Sequence, residues 1–546
     1  MRPASALLLA VSAALAASCT SILGTFELAG SGGTTATGTG GATSTASTGT
    51  TSTGDAGPCV PEDLASLCTG KICSDSVVDG CGTSRRCGSC VTWSWVPHTT
   101  DLAQDLRLGG LAVDASGVAT VTGRCAGPLD FGDGTAAPCG ASAIAVARVG
   151  PGSGSHLISR HVWPSPYPAA GYTVALRPTT GQIVFGGKSY SAVDFGQGPM
   201  PALTNDQGNT FLVTSGTDLA PTQSRGATDG SDNMVSAVAV APSGELYVTG
   251  GFLASLSFTG CNAVSTKAFP YDGFLAKLDA NLGCQWLKSA GSLGEDYVAG
   301  VAVAPDGNVV IAGRIGEATT DLLGCTGSQP AGSYVAKISP TAQCMWVKSM
   351  PAADAPISSV AVTPAGRVVV VGGFDGDLQL DATHTLHSAS NVPTQAQGGE
   401  HTYDAFAAVL DANGTVLAAK AFGDELFQLA TSVAAAPDGD VVVTGRFWGT
   451  IDLGGRPFGN SNPDPHEIGP NANSYCGGFV ARFDAGLGHR WSVGFTQQGV
   501  IVRPNAVAVG ASGAVVVAGD YGGIYDFGNG VTQTAGYSAF TVALDP

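Results

Sequence analysis

The sequence predicts an all-β fold of seven similar units, on three observations. A motif of an apolar residue, Ala and a second apolar residue recurs seven times, and each copy is followed by a Gly and a β-rich run that closes on Gly. The seven motif glycines lie 59 to 74 residues apart, which indicates a repeat architecture. No helical periodicity is present beyond the N-terminal apolar segment. The copies occupy residues 111–113, 174–176, 238–240, 301–303, 360–362, 433–435 and 507–509.

Each repeat contains four strand signals. In the fourth copy, residues 300–304 and 308–313 flank the turn Pro305-Asp306-Gly307, where Pro sets φ and Gly supplies a positive φ for a tight hairpin. Residues 334–338 and 344–348 follow as the third and fourth strands. Four short antiparallel strands repeated radially are typical of a propeller blade. We therefore predict a seven-bladed β-propeller with four antiparallel strands per blade over residues 93–546.

The two ends of the repeat region predict a closed ring. The seventh copy supplies three strand signals and no fourth before the chain ends. Upstream of the first copy, Trp93-Ser-Trp-Val96 looks like a fourth strand, because Trp also occurs in that element at Trp286, Trp346 and Trp491. We expect this N-terminal strand to complete the last blade, which would remove the open sheet edge.

The repeat motifs also resemble a known family. The order Val-Ala-Val-x-Pro-x-Gly, Val-x-Gly, Asp-Phe-Gly and Phe-x-Ala-x-Leu-Asp is similar to the seven-bladed propeller repeats of bacterial secreted proteins. The resemblance covers about residues 93–546 and implies the fold. It implies no particular function, because propellers carry many unrelated activities.

The N-terminus predicts export and a lipid anchor. An apolar stretch at 4–17 is too short to span a bilayer and ends in Leu15-Ala-Ala-Ser-Cys19, which resembles a lipoprotein signal. This implies a signal peptide over 1–18 and lipidation of Cys19, with an ordinary secretory signal as the alternative. The residue after the cysteine is Thr20, which resembles the sorting signal for the outer membrane. We expect a lipid-anchored protein of the bacterial cell envelope, at the outer membrane or cell surface, which contacts the membrane through its lipid only.

Two segments separate the anchor from the propeller. Residues 19–58 are rich in Gly, Thr and Ser and are predicted to form a flexible tether. Residues 59–90 form a Cys-rich segment that resembles a small module of secreted bacterial proteins. Its cysteines could hold zinc or form three disulfides, and an exported chain favours disulfides, with connectivity left open. They are Cys59, Cys68, Cys73, Cys81, Cys87 and Cys90.

The propeller region contains seven more cysteines. Cys125 and Cys139 flank the first Asp-Phe-Gly, while two further pairs occupy matching positions in the third and fourth repeats. We therefore predict within-blade disulfides for each of these pairs. Cys476 has no obvious partner and is interpreted as a buried thiol. The predicted pairs are Cys125 with Cys139, Cys261 with Cys284, and Cys325 with Cys344.

Strand order predicts where a ligand would bind. First-to-second and third-to-fourth turns lie at one face of a propeller, and here they are short. The other connections are longer and include residues 216–233, 375–403 and 448–477. Binding loops are expected on that face, with Trp448 as the best contact residue. The Asp residues that recur before Gly are interpreted as turn formers, and His384, His387 and His401 as a solvated loop rather than a metal site.

The composition, and the absence of several sequence motifs, argue against some classes of function. The net charge of −18 argues against nucleic acid as a partner. No nucleophile elbow, zinc-protease motif, phosphate loop or nucleotide fingerprint is present. We expect a monomeric, surface-tethered lipoprotein that binds an unidentified protein or glycan through its long-loop face, with no catalytic residue, cofactor or metal. Two alternatives stay open: an exported glycan hydrolase or lyase using carboxylates at the central channel, and a structural or adhesive envelope protein.

Overall fold

The fold was described from a computed structural model, which covers the propeller and little of the N-terminal region. The signal peptide, the tether, Cys19 and the six cysteines of the Cys-rich segment lie outside the described residues. Within that segment, Ser76–Val78 pairs antiparallel with Ser84–Arg86. All regular elements in the described part of the chain are β-strands. The described residues are 76–78, 84–86, 91–97, 104–151, 156–200, 207–230, 232–264, 270–351, 355–389, 403–459, 476–497, 499–527 and 531–545.

Seven antiparallel sheets of four strands form the seven blades, as predicted. The strands of each blade follow one another from the central channel outward, and the seventh blade takes its outermost strand from the N-terminal side. The bounds are Asp105–Val113, Ala119–Ala126, Ser142–Val149 and Leu157–Ser165 in blade 1; Ala169–Leu176, Ile183–Ser189, Asn209–Ser215 and Pro221–Gly226 in blade 2; Asn233–Val240, Leu246–Phe252, Asp272–Leu278 and Cys284–Ala290 in blade 3; Tyr297–Val303, Val309–Ile315, Gly332–Ile338 and Cys344–Met350 in blade 4; Ile357–Val362, Val368–Phe374, Asp404–Leu410 and Val416–Phe422 in blade 5; Gln428–Ala435, Val441–Phe447, Gly477–Phe483 and His489–Phe495 in blade 6; and Ile501–Val509, Val515–Asp526, Val531–Leu544 and Val91–Trp95 in blade 7.

The innermost strands form a continuous ring. Each one contacts the innermost strand of the next blade, and that of blade 7 contacts that of blade 1. At three boundaries a hydroxyl group next to the repeat motif accepts a hydrogen bond from a backbone N–H of the following blade. This explains why Ser or Thr precedes the motif in those blades. The acceptor–donor pairs are Thr173–Val238 at 3.1 Å, Ser359–Val433 at 3.3 Å and Ser432–Val507 at 3.3 Å.

The predicted ring closure is confirmed. Val91–Trp95 pairs antiparallel with the last strand of the chain, and Trp93 lies opposite Ala543. A register shift at Val91/Trp93 repeats the shift found between the third and fourth strands of other blades. Trp95 is buried, and its Nε1 donates to the backbone oxygen of Phe131 in blade 1, 2.8 Å away. The N-terminal strand therefore completes blade 7 and also contacts blade 1.

Side chains also connect the outer parts of neighbouring blades. In each case an indole or guanidinium N–H reaches a carbonyl in the third-to-fourth turn of the next blade. The tryptophans of the fourth strands therefore pack between blades, as the sequence predicts. The donor–acceptor pairs are Trp286–Pro340 at 3.0 Å, Trp346–Ala412 at 3.0 Å, Arg177–Ala280 at 2.7 Å and Arg367–Ala485 at 3.0 Å.

The long second-to-third connections differ from the expectation. In five blades they contain a small hairpin, and in blades 1, 3, 4 and 5 this hairpin contacts the fourth strand of its own blade. Apolar hairpin residues such as Phe131, Leu256 and Ile451 are buried. Burial of these side chains holds the hairpins along the outside of the blades. The hairpins are Pro128–Asp130 with Ala136–Pro138, Ser255–Phe258 with Cys261–Val264, Thr319–Leu322 with Cys325–Gln329, Asp377–Gln379 with Thr385–His387, and Thr450–Ile451 with Phe458–Gly459.

Two parts of the loop prediction are therefore wrong. The hairpin portions of the long connections do not rim one face of the ring, because they fold back against the fourth strands. The segment 216–233 is not one long loop either, since it contains the fourth strand of blade 2, Pro221–Gly226. That strand lacks the Trp found in other blades, which is why the sequence pattern did not reveal it.

The three predicted disulfides of the propeller are confirmed. Cys125 bonds to Cys139, Cys261 to Cys284, and Cys325 to Cys344. The last two join a hairpin to the first residue of the fourth strand. The pairing is possible because the hairpin runs back along the blade. Cys476 forms no disulfide among the described residues and is buried, as expected.

Candidate functional site

The two faces of the ring differ in their connections. The first-to-second and third-to-fourth turns define the short-turn face, and the opposite ends of the strands define the long-connection face. Val91, the first residue of the closing strand, lies opposite Leu544, at the end where third strands meet their turns. The chain therefore enters the propeller from the short-turn face.

The channel mouth on the short-turn face is apolar. An open depression of about 370 Å³ is lined by Val, Ala and Pro side chains of the first-to-second turns, with Thr and Gly. None of its lining residues carries a titratable group, so this mouth offers apolar contact and no acid–base chemistry. The lining comes from blades 3 to 7 and includes Val240, Val303, Pro305, Val362, Pro364 and Pro437.

The short-turn face carries ion pairs such as Lys337–Asp306 around this mouth, and the long-connection face carries charged and aromatic groups as well. In blade 1, Arg107 and Arg124 lie directly opposite each other on the first two strands. We call them the blade 1 arginine pair. Asp105 accepts from both, from Arg107 Nε at 2.9 Å and from Arg124 Nη2. The guanidinium carbon of Arg107 also lies 4.4 Å from the ring centroid of Tyr537 in blade 7.

Blade 7 contributes a second arginine to the same tyrosine. The guanidinium carbon of Arg503 lies 4.5 Å from the Tyr537 centroid. Arg503 is buried, and its Nε donates to Asp520 Oδ2 at 2.8 Å. Asn505 Nδ2 donates to the other oxygen of Asp520 at 2.8 Å and to the backbone oxygen of Leu108 in blade 1 at 3.0 Å. A connected polar network thus crosses the boundary between the last blade and the first.

A third charged cluster lies between blades 2 and 3. Lys188 is buried, and its Nζ lies 2.5 Å from Asp232 Oδ1. Asp232 also accepts from the hydroxyl of Tyr271 and from the backbone N–H of Gly208, the latter at 3.0 Å. Burial, followed by the charge of Asp232, raises the pKa of Tyr271 above its ordinary value. The phenol therefore remains a hydrogen-bond donor to Asp232 at physiological pH, and Asp232 in turn joins blade 3 to Lys188 and Gly208 of blade 2.

Two buried carboxyl groups have unusual acidity. Burial raises the pKa of Asp296 to about 6, although hydrogen bonds from Ser292 and Gly316 oppose the rise. Burial likewise raises the pKa of Asp404 to about 6, with the charge of Asp424 contributing. Asp404 Oδ2 accepts from the backbone N–H of Ala389 at 2.8 Å. Both side chains lie beneath the surface, where they contact protein groups.

The candidate contact residue Trp448 does not project from a loop. Its side chain is 7% exposed and packs against Phe427, with ring centroids 4.7 Å apart. Leu429 and Cys476 complete the same small apolar cluster. The expectation of an exposed aromatic is therefore wrong, because the connection preceding blade 6 covers this residue. Its contribution to ligand binding stays a prediction, and the loop that follows, 460–475, lies outside the described residues.

The other candidate polar residues have structural roles. Asp130 Oδ1 accepts from the N–H of Gly132 at 2.8 Å, and Asp194 Oδ1 accepts from that of Gly196 at 2.7 Å, so these residues form turns. His384 pairs with Asp381 at 2.9 Å, and His387 Nδ1 with Asp377 at 2.7 Å, both on the blade 5 hairpin. His401 lies outside the described residues. No group of three or more metal-ligating side chains occurs in the part of the chain that the structure describes.

Sequence reasoning missed the blade 1 arginine pair. The two residues are separated by a hairpin, and only the register of that hairpin places them together. The sequence did contain one indication of this pair, because a basic residue, Arg124, directly follows Gly123 in the second strand of blade 1. The described residues contain no helix long and apolar enough to cross a membrane.

Comparisons with known proteins found likenesses among solved structures only. No family model and no curated protein matches the chain. Among solved structures, virginiamycin B lyase from Staphylococcus aureus with quinupristin is 6% identical, covers 82% of this chain and 99% of its own, and gives a TM-score of 0.40. The polysaccharide lyase Uly1 is 11% identical over 80% of this chain and 89% of its own, at 0.40. The Neurospora crassa Pan2 WD40 domain is 10% identical over 82% and 97%, at 0.37. At these values the likenesses carry no argument about activity, and the seven-bladed β-propeller rests on the sheets themselves.

Proposed function

We propose that this protein is a lipid-anchored binding scaffold of the bacterial cell envelope. Cys19 would carry the lipid and residues 19–58 would act as the tether. The propeller would bind a protein or a glycan through its long-connection face. It would act as a monomer, without a cofactor or metal.

The entry point of the chain is the observation that carries this proposal. Val91 lies at the short-turn end of the closing strand, so the anchored segment approaches the propeller from that face. The long-connection face then lies on the side of the ring opposite the entry of the chain, where the tether would not cover it. A flexible tether of this length would hold the propeller about 30 Å from its anchor, which leaves room for a large partner.

The chemistry of the long-connection face fits a binding role. The short-turn mouth is lined by small apolar groups. The long-connection face presents half-exposed arginines of blade 1 and the exposed ring of Tyr167, in the connection between blades 1 and 2. Arg and Tyr are the residue types enriched at binding surfaces. The overall charge of −18 disfavours nucleic acids as partners.

An array experiment tests the proposal. The mature chain with Cys19→Ala, which lacks the lipid, is probed against glycans and envelope proteins, and hydrogen exchange then maps the bound face. We expect protection at the ends of the second strands, including residues 122–126. Protection confined to the turns at Pro305 and Pro364 would place binding on the other face. Turnover of a glycan instead of stable binding would favour the exported-enzyme alternative.

A further inference from the structure

We infer that the blade 1 arginine pair forms a subsite for the carboxylate of an acidic sugar, that is, a uronic acid residue of a glycan. This inference rests on the proposed function, because it names the ligand chemistry of the long-connection face. The subsite consists of Arg107, Arg124 and their shared partner Asp105, beside Tyr537.

The strand register brings the two arginines side by side. Arg107 and Arg124 occupy directly opposite positions on neighbouring antiparallel strands. Like charges in that arrangement destabilise a sheet. Within the residues that the structure describes, one carboxylate, that of Asp105, lies between them, so this cluster of two cations and one anion keeps one positive charge. An anionic ligand would neutralise the remaining charge.

Both guanidinium groups keep N–H donors that Asp105 does not use. A guanidinium group has five N–H donors. In the described part of the chain, Arg107 donates to Asp105 through Nε, and Arg124 donates to it through Nη2. The other donors of both groups have no acceptor among the described residues. The side chains are 26% and 42% exposed, so a ligand can reach them.

Neighbouring side chains hold the arginines in place. Asp105 fixes Nε of Arg107, while the ring of Tyr537 contacts its guanidinium face. Tyr537 itself contacts the buried Arg503, which is bonded to Asp520. A guanidinium fork held in this way loses little side-chain freedom when it binds a carboxylate.

Other groups on the same face fit a sugar better than an acidic peptide. The connection after blade 1 presents Tyr167, which is 56% exposed and whose backbone oxygen accepts from the hydroxyl of Ser165. A sugar ring has an apolar face and hydroxyl groups around its edge. The apolar face could pack on an exposed tyrosine, and the hydroxyl groups could form hydrogen bonds with nearby polar groups. A uronic acid residue adds the carboxylate that the arginines recognise.

Binding of a defined oligosaccharide tests the inference. The non-lipidated mature chain is titrated by calorimetry with an oligogalacturonate and with a neutral oligosaccharide of the same length. We expect binding of the acidic sugar only, with an affinity that falls as salt is raised from 50 to 500 mM. Arg124→Gln should weaken binding about tenfold or more, since a charge-assisted hydrogen bond is lost.

Matched variants make the outcome decisive. Arg490→Gln removes an arginine that is 54% exposed at the short-turn end of blade 6, and it should leave the affinity unchanged. Arg107→Lys keeps the charge, loses the planar fork, and should weaken binding as well. Absence of oligogalacturonate binding, equal binding of the neutral sugar, or an Arg124→Gln variant with wild-type affinity would each overturn the inference. If sulfated sugars or acidic peptides bind in its place, the carboxylate-sugar assignment is wrong. A partner bound on the long-connection face independently of Arg124 would preserve the proposed function.

Discussion

Arg503 and Tyr537, on the first and third strands of blade 7, lie in cation–π contact at 4.5 Å. The same ring contacts Arg107 of blade 1 at 4.4 Å. The boundary between the last and first blades is therefore held by a polar and aromatic network as well as by the apolar cluster around Trp95. This network begins and ends in parts of the chain about 400 residues apart, as the bond from Asn505 to Leu108 illustrates.

The buried pair Arg503–Asp520 predicts a large effect of a single change. Asp520→Ala removes the carboxylate that accepts from Arg503 and Asn505. Losing one partner of a buried ion pair costs about 3–5 kcal/mol of unfolding free energy. Chemical denaturation should show a clearly lower midpoint. Asp377→Ala, at an exposed ion pair with His387, is the control and should change the midpoint little. Equal midpoints for the two variants would contradict the prediction.

Removal of the closing strand should destabilise the whole ring. A chain that starts at Asp101 lacks Val91–Trp95, leaving the last strand of blade 7 with an open edge. We expect its melting temperature to lie well below that of a chain starting at Val91. Trp95→Ala in the full chain should cost about 3–5 kcal/mol, because a buried indole and its bond to Phe131 are lost. Two chains that melt alike would show that closure adds no stability.

The buried carboxyl of Asp404 predicts that acidification stabilises the fold locally. Its folded pKa of about 6 lies above the ordinary value of 3.8 for an Asp side chain, so the folded state holds this proton more tightly than the unfolded state. The stability that protonated Asp404 adds to the fold is fully present below pH 3.8 and is lost as the pH rises through 6. This pKa shift corresponds to a change of about 3 kcal/mol at most in the free energy of unfolding.

Asp404→Asn isolates this effect. The variant carries no charge, so it should melt higher than the wild type at pH 7.5 and like the wild type near pH 4. Thermal melts across this range measure the difference. A wild-type advantage at pH 7.5 would mean that the carboxylate is stabilised in the fold and that the pKa direction is wrong.

The disulfides predict a specific thiol count. In the exported protein, only Cys476 should react as a free thiol after denaturation, and the six cysteines from Cys59 to Cys90 should be oxidised and free of zinc. Replacing Cys261 and Cys284 together by Ser should lower stability by about 3 kcal/mol, because the bridge closes a loop of 23 residues. Thiol labelling with mass spectrometry gives the count. Stoichiometric zinc or further reactive thiols would contradict it.

Lipidation at Cys19 is directly measurable. Mass spectrometry of the mature N-terminus should find a lipid-modified cysteine, and Cys19→Ala should release the protein from the membrane fraction or block its processing. An unmodified N-terminus at another residue would show that the signal is an ordinary secretory one.

The fold was predictable because its information is local and repeated. Each turn such as Pro305-Asp306-Gly307 marks a hairpin, and seven copies reinforce one another. The matching spacing of Cys261–Cys284 and Cys325–Cys344 revealed two bridges for the same reason. The closing strand was recognisable from Trp93, whose counterparts occupy three other blades.

The site was less predictable because it depends on contacts between distant segments. The sequence suggests that Trp448 is an exposed aromatic residue in a loop, yet Phe427 from the preceding connection covers it. The sequence suggests long loops where the hairpins lie, because the hairpin strands are only two to five residues long. Arg107 and Arg124 meet through strand register, and Tyr537 joins them only because the ring closes.

The entry of the chain at Val91 also determines how the molecule bears tension. A force between an anchor on the short-turn side and a ligand held on the opposite face would act along the axis of Val91–Trp95. The hydrogen bonds to the last strand are perpendicular to that axis, so the force would shear them together instead of opening them one at a time. The strand that closes the ring would therefore be oriented to resist pulling on the proposed tether.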